Sequence, residues 1–354
     1  ETRKTAVKRV QERIMAKLAD DELSLAYKYE MVAALTGRVN ASGLAKLAAD
    51  PNVASIGPDG FGEAQLNVSV PFINADDVQA LGYTGAGITV AVLDTGIGKD
   101  KGLTKFPSGS KRDIIWADMV GGSKKADDKY GHGSHVAGII ANSQTGSDDS
   151  YGGVAPGVGL VGVKVLGDDG SGSYSTVIAG LNWVLANKSR YNIRIVNLSL
   201  YASVQVPYWA DPLDAAVTAL WANGVVVIAA AGNTGPAAMS VGVPGNNPYA
   251  LTVGAITDNF TPLDWNDDYI PPFSAAGPTL DGFIKPEVLA PGAHIVSTMS
   301  KKTTLGKAHP ELKVGEDYYS LSGTSQATAV VSGLAALVLS KNPTLSPDGV
   351  KYRL

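Results

Sequence analysis

The chain has 354 residues, 45% of them hydrophobic and 18% charged, so it can bury a full core and wholesale disorder is not expected. It contains no cysteine, which excludes a disulfide scaffold, a thiolate metal site and a cysteine nucleophile. A net charge of −4 with no basic tract argues against a nucleic-acid partner, and no apolar run reaches the roughly 18 residues of a membrane helix.

In chain order, residues 1–19 carry Val7, Val10, Ile14 and Leu18 three or four apart, one apolar stripe on a helix. Leu23 to Leu35 reads as extended. Asn40-Ala41-Ser42-Gly43 opens a second short helix with Leu44, Leu47 and Ala48 inward. Asp50-Pro51 ends it, because proline disfavours helix in the residue before it. Val53 to Ile56 is predicted as a strand. Residues 1–60 therefore read as a small α+β unit, closed by a glycine-rich boundary over 57–64 that suits a linker and a cleavage site. No signal peptide is visible at Glu1, so the chain is expected either to be cytosolic or to have lost a leader.

From Ile88 the pattern becomes strand, glycine turn, helix. The runs 88–93, 160–165, 193–198, 225–231 and 251–255 are apolar on both faces, as parallel strands covered by helices are. Helices are predicted over 132–141, 173–186 and 212–222. This βαβ series predicts an α/β fold, a doubly wound parallel sheet with helices on both faces. Ligands of such sheets bind beyond the carboxyl ends of the strands.

Four polar positions fall at those ends. Asp94 follows the run Val90 to Leu93, and His132 opens a helix between two glycines. Asn233 ends the buried run Ala229-Ala230-Ala231-Gly232. Ser325 starts the long small-residue helix after Gly323-Thr324. Each alone has a plainer reading: a turn former, a structural histidine, an Asx-turn, an N-cap. A metal reading of His132 with His135 lacks an acidic third ligand at local spacing. Together the four supply a nucleophile, a base, a carboxylate to orient the base, and an oxyanion donor.

Val92-Leu93-Asp94-Thr95-Gly96-Ile97, Gly131-His132-Gly133-Ser134-His135-Val136-Ala137-Gly138 and Gly323-Thr324-Ser325-Gln326-Ala327 resemble the Asp, His and Ser signatures of the subtilisin-like serine proteases, in that family's order. The resemblance implies catalytic Asp94, His132 and Ser325, with Asn233 at the oxyanion. It implies substrate binding at Gly170, Ser171, Gly172, Ser199, Leu200, Gly232 and Gly242, with room at Gly242 for a large apolar P1 side chain. It also implies that residues 1–63 are a ferredoxin-like propeptide that inhibits intramolecularly, cleaved between Gly60 and Asn67, with a catalytic domain over 64–354. A secreted, bacterial, monomeric endopeptidase acting on peptides or proteins is expected, without membrane or nucleic-acid partners. A non-catalytic peptide-binding relative would need a broken triad, and all three residues are present. No cofactor is expected for catalysis. Structural Ca²⁺ is the ion such proteases commonly carry, with Asp127, Asp128, Asp148 and Asp149 as candidate donors.

Departures from the family pattern are Gln326, Ala329, and Tyr201-Ala202 where glycines are usual. The Lys-rich connection over 299–318 reads as a specificity loop or a bland surface insertion, the second being favoured. Both chain ends look trimmed relative to the family.

Overall fold

The computed structural model describes residues 3–28, 35–53, 56, 70–144, 151–257, 259, 261 and 266–354. The chain divides into two compact units, Glu1–Gly62 and Glu63–Leu354. The expected cleavage segment and residues 54 and 55 of the expected strand over 53–56 lie outside the described residues, as do Asp148 and Asp149.

In the first unit, helix α1 (Arg3–Met15) is followed by strands β1 (Leu23–Lys28) and β2 (Leu35–Val39) and by helix α2 (Ala41–Ala48). The predicted extended run is thus two strands, paired antiparallel from Leu23 with Val39 to Lys28 with Leu35. The stripe of α1 buries Val7, Gln11 and Ile14. Asn40 caps α2, its side-chain oxygen accepting from Gly43 N–H at 2.8 Å. Glu22 accepts from Ala19 N–H, Lys46 and Ser42, which holds its carboxyl down at about 2.

In the second unit, helix α3 (Ala75–Ala80) is followed by an alternation: β3 (Thr89–Asp94), α4 (Lys101–Thr104), β4 (Ile115–Asp118), α5 (His132–Ala141), β5 (Gly159–Lys164), α6 (Tyr174–Tyr191), β6 (Ile193–Leu198), α7 (Pro212–Ala222), β7 (Val226–Ala230), β8 (Leu251–Ile256) and β9 (Val288–Pro291). The sheet order is β4-β5-β3-β6-β7-β8-β9 and every pair is parallel. Strand β3 is the switch point: the chain winds from it towards β4 on one side, then towards β9 on the other. The buried valines and isoleucines of β3, β6 and β7 each contribute roughly 1.5–3 kcal/mol by leaving water.

The two edge strands escape a reading by apolar runs. Strand β4 has four residues, three of them partly exposed, and β9 contains a proline, which is tolerated at an edge. Helix α6 runs five residues past its predicted end and stops at Asn192, whose φ of 49° is left-handed.

Beyond the main sheet, β10 (Ile295–Thr298), helix α8 (Thr304–Ala308), β11 (Lys313–Val314) and β12 (Tyr318–Leu321) lead to α9 (Thr324–Lys341) and α10 (Pro347–Lys351). The order β10-β12-β11 makes a small antiparallel sheet. Helix α9 is apolar nearly all round and is buried over most of its length, as such a helix must be. It packs against α5 and crosses β6, β7, β8 and β9, so its first turn arrives at the carboxyl ends of the strands.

Candidate active site

Asp94 closes β3 and is fully buried. Its Oδ1 accepts from Thr95 N–H at 2.7 Å, and both its oxygens lie against Nδ1 of His132, at 2.8 and 3.0 Å. A carboxylate in that position fixes the tautomer that carries its proton on Nδ1 and leaves Nε2 to accept. Burial alone would push the imidazolium down, but the charge and hydrogen bond of Asp94, with the charge of Asp128, outweigh it. The His132 pKa therefore lies above its ordinary value.

Ser325 lies in the first turn of α9 and is held by a reciprocal pair. Its Oγ donates to Ser199 O at 3.0 Å, and Ser199 Oγ donates to Ser325 O at 2.8 Å. Asn197 Nδ2 donates to Ser199 Oγ, and Ser332 Oγ donates to Asn197 Oδ1, so the end of β6 is zipped to α9. In this arrangement the nucleophile candidate rests on a backbone carbonyl. Ser325 and His132 line one cleft, together with Gly170, Ser171, Gly172, Ser199 and Leu200.

The donors at this helix start are partly spent. Thr324 N–H and Thr324 Oγ1 both donate to Asn233 Oδ1, at 2.9 and 3.0 Å, and Gln326 N–H goes to Gly323 O. Gly232 N–H donates to Thr324 Oγ1. Two acceptor contacts identify the oxygen of the Asn233 amide, so its Nδ2 is the half left for a ligand. Among the described residues, Ser325 N–H likewise makes no hydrogen bond and is an orphan donor of the first turn. An anion at this place would meet two donors and the positive end of α9.

Residues 85–354 match the subtilase family. The chain belongs to that family of serine proteases. It is 39% identical over 307 residues to the serine protease AprX of Bacillus subtilis, covering 82% of this chain and 66% of AprX. It is 37% identical over 289 residues to subtilisin DY of Bacillus licheniformis, covering 80% of this chain and 88% of that one. Among solved structures, a cold-adapted subtilisin-like serine proteinase superposes with a TM-score of 0.57 at 32% identity, over 76% of this chain and 81% of the other. Sphericase superposes at 0.60 with 29% identity, over 77% and 83%.

Within this subtilase, Asp128 has a different place from the calcium donor expected of it. Gly131 precedes α5 with φ 109° and offers no side-chain cap. Asp128 caps the helix instead: Oδ2 accepts from Ser134 N–H at 2.8 Å and Ser134 Oγ at 2.6 Å, and Oδ1 accepts from Gly131 N–H at 2.8 Å and Thr95 Oγ1 at 2.9 Å. With both oxygens engaged four times, the residue does not fit an ion. It ties the helix of His132 to the residue beside Asp94, and the signal for it was an Asp just before a helix start that lacks its own cap. At the other end of α5, the buried Arg112 donates to Ala141 O, a cation on the carboxyl end of the helix. Asp127 is exposed, and among the described residues no group of three or more His, Asp or Glu is placed to hold a metal.

Asp128→Asn is expected to lower stability by about 1–3 kcal/mol, because an amide turns a donor towards N–H groups. It also removes a charge that favours the His132 imidazolium. A neutral base then persists to lower pH, so the acidic limb of kcat/KM should move to lower pH. A pH–rate profile in which that limb does not move would show that the charge does not reach His132.

The connection over 299–318 is not bland. Thr304 N–H and Leu305 N–H donate to Lys129 O and Tyr130 O. A Cβ on Gly131 would come within 2.6 Å of Met299 Sδ and 2.8 Å of Thr303 Oγ1. The segment therefore braces the loop that delivers His132, and only glycine fits there. His135 is buried, with Nε2 donating to Tyr319 O, and burial drives its pKa to about 3. It is a neutral strut between α5 and β12.

Gly242, where the resemblance implies room for a P1 side chain, lies close against Tyr201 and Ala202. A Cβ there would stand 2.6 Å from Ala202 O and 3.2 Å from Tyr201 Cβ.

Proposed function

We propose that this subtilase is a secreted bacterial serine endopeptidase, made as a zymogen. Residues 1–63 are its propeptide and 64–354 its catalytic domain. His132 Nε2 takes the Ser325 proton as Oγ attacks the peptide carbonyl, and Asp94 keeps the other ring nitrogen protonated and stabilises the imidazolium that forms. Asn233 Nδ2 and Ser325 N–H receive the oxyanion. His132 then returns its proton to the leaving amine, and water repeats the sequence on the acyl-enzyme. The peptide lies extended between Gly170–Gly172 and Ser199–Leu200, as an added strand. The observation that carries this reading is the two-oxygen contact of buried Asp94 with His132, in a cleft shared with Ser325 and beside two unspent donors.

No cofactor enters the acyl chemistry, and the enzyme acts as a monomer, inhibited by its own propeptide until cleavage between Gly60 and Asn67. Against the large apolar P1 side chain that the family resemblance implies, the closeness of Tyr201 and Ala202 to Gly242 supports a smaller one. A serine-directed fluorophosphonate should label the self-processed protein at Ser325, and mass spectrometry should find a new amino terminus within 61–67. Label on another residue, or none, would sink the reading.

A further inference from the structure

Tyr201 is the residue of the cleft that the chemistry above leaves unexplained. It follows the wall residues Ser199 and Leu200, and its ring lies against two glycines from other segments. A Cβ on Gly232 would meet Tyr201 Cδ2, Cγ and Cε2 at 3.2, 3.3 and 3.6 Å. A Cβ on Gly242 would meet Tyr201 Cβ and Cδ2 at 3.2 and 3.3 Å. The ring therefore packs on the faces that these glycines leave bare.

Its backbone is also fixed. Ala202 and Val243 exchange N–H···O bonds at 2.9 Å in both directions, and Gly242 N–H donates to Ala231 O. Gly232 immediately precedes Asn233 and donates to Thr324 Oγ1, one residue from Ser325. The ring thus occupies the gap between the 199–202 wall and the 231–233 segment, next to the proposed oxyanion donors. It is 39% exposed, so it stands at the mouth of that gap rather than in the core. The cleft as a whole, which Tyr201 also lines, encloses about 380 Å³ and is bounded in part by Leu166, Tyr174, Val177, Leu200 and Leu213.

A scissile carbonyl between Asn233 Nδ2 and Ser325 N–H would bring the side chain of that same residue next to Asn233 and its neighbour Gly232. We infer that Tyr201 closes this gap, so that the enzyme cleaves after small residues such as Gly, Ala or Ser and discriminates against large apolar ones. The inference rests on the reading of Ser325 as nucleophile. It makes Tyr201 a specificity-determining residue. A rigid apolar pocket distinguishes side chains by about 10- to 200-fold for a methylene-sized change, so a whole ring has a large effect.

The test uses the full chain after self-processing, with internally quenched peptides that differ only in Ala or Phe at P1. Fluorophosphonate titration counts competent Ser325 in each preparation, so that misfolded protein is removed from the comparison. Wild type should favour Ala over Phe in kcat/KM by about 10-fold or more. Tyr201→Gly should shift the Phe-to-Ala ratio towards Phe by about 10- to 100-fold, and Tyr201→Phe, which keeps the ring, should retain the wild-type ratio. Wild type cutting after Phe as well as after Ala would mean that the ring swings aside, and would overturn the inference. An unchanged ratio in Tyr201→Gly would overturn it too. A wild-type protein that neither labels nor cuts any peptide would overturn the peptidase reading, and this inference with it.

Discussion

Ser325→Ala is expected to abolish self-processing and to lower kcat on any peptide by about 10⁶, the size known for subtilisins themselves. The substitution removes one hydroxyl from a residue that is already buried and leaves the rest of the first turn of α9 in place. It breaks a single bond, to Ser199 O, whose loss costs about 1 kcal/mol. Both proposed oxyanion donors survive, since Ser325 N–H is backbone and Asn233 is held by Thr324. The variant should therefore fold, bind peptide, and retain only the modest acceleration that orientation and two donors supply. The measurement is the mass of the purified chain over time. It should stay uncut alone, and be cut when a trace of wild type is added. Cutting at the wild-type rate without that trace would place the nucleophile elsewhere.

Fold and site were legible to different depths, for physical reasons. Strands buried on both faces write themselves as runs of Val, Ile and Leu, and so the inner strands could be placed to within a residue or so at each end. Edge strands β4 and β9 need fewer apolar residues and tolerate proline, so the same signal fades there. The four polar positions were legible because a strand end or helix start restricts what a polar residue can do. Their partners were not. Asp127 and Asp128 are adjacent carboxylates in one loop, yet one faces solvent and the other accepts four hydrogen bonds from α5 and Thr95. That difference is set by a loop conformation which no periodicity encodes. Tyr201 carried a partial signal, a bulky residue where glycine is usual. Only the approach of Gly232 and Gly242 from distant segments shows what its ring lies against. The stretch over 299–318 misled for the same reason: its lysines are solvated, while its backbone N–H groups brace the loop before His132.

Asp94→Asn should keep the fold and lose about 10⁴ in kcat, by a route that these hydrogen bonds specify. Asp94 Oδ1 accepts from Thr95 N–H at 2.7 Å as well as facing His132. An asparagine here must keep its oxygen on that N–H, which puts its NH₂ where Oδ2 now stands, against His132 Nδ1. That donor competes with Oδ1, which still faces Nδ1 at 2.8 Å, and draws the ring proton towards Nε2; an Nε2–H cannot accept the proton of Ser325. The loss should fall on kcat, with KM changed little, because the peptide is held by the cleft edges rather than by Asp94. The pH dependence has a definite sign. In wild type the charge of Asp94 and its hydrogen bond help raise the His132 pKa, so activity climbs as pH rises through a value above the ordinary 6.5. Any stability from the His132–Asp94 ion pair is fully present below the unfolded histidine pKa and is lost as pH rises through the folded one. In the variant both influences of Asp94 disappear and burial is opposed only by the charge of Asp128, so the acidic limb of the residual activity should shift to lower pH. Stopped assays across pH 4–9 read both features at once. A variant losing less than about tenfold, or one whose limb stays put, would mean that Asp94 neither sets the tautomer nor stabilises the imidazolium.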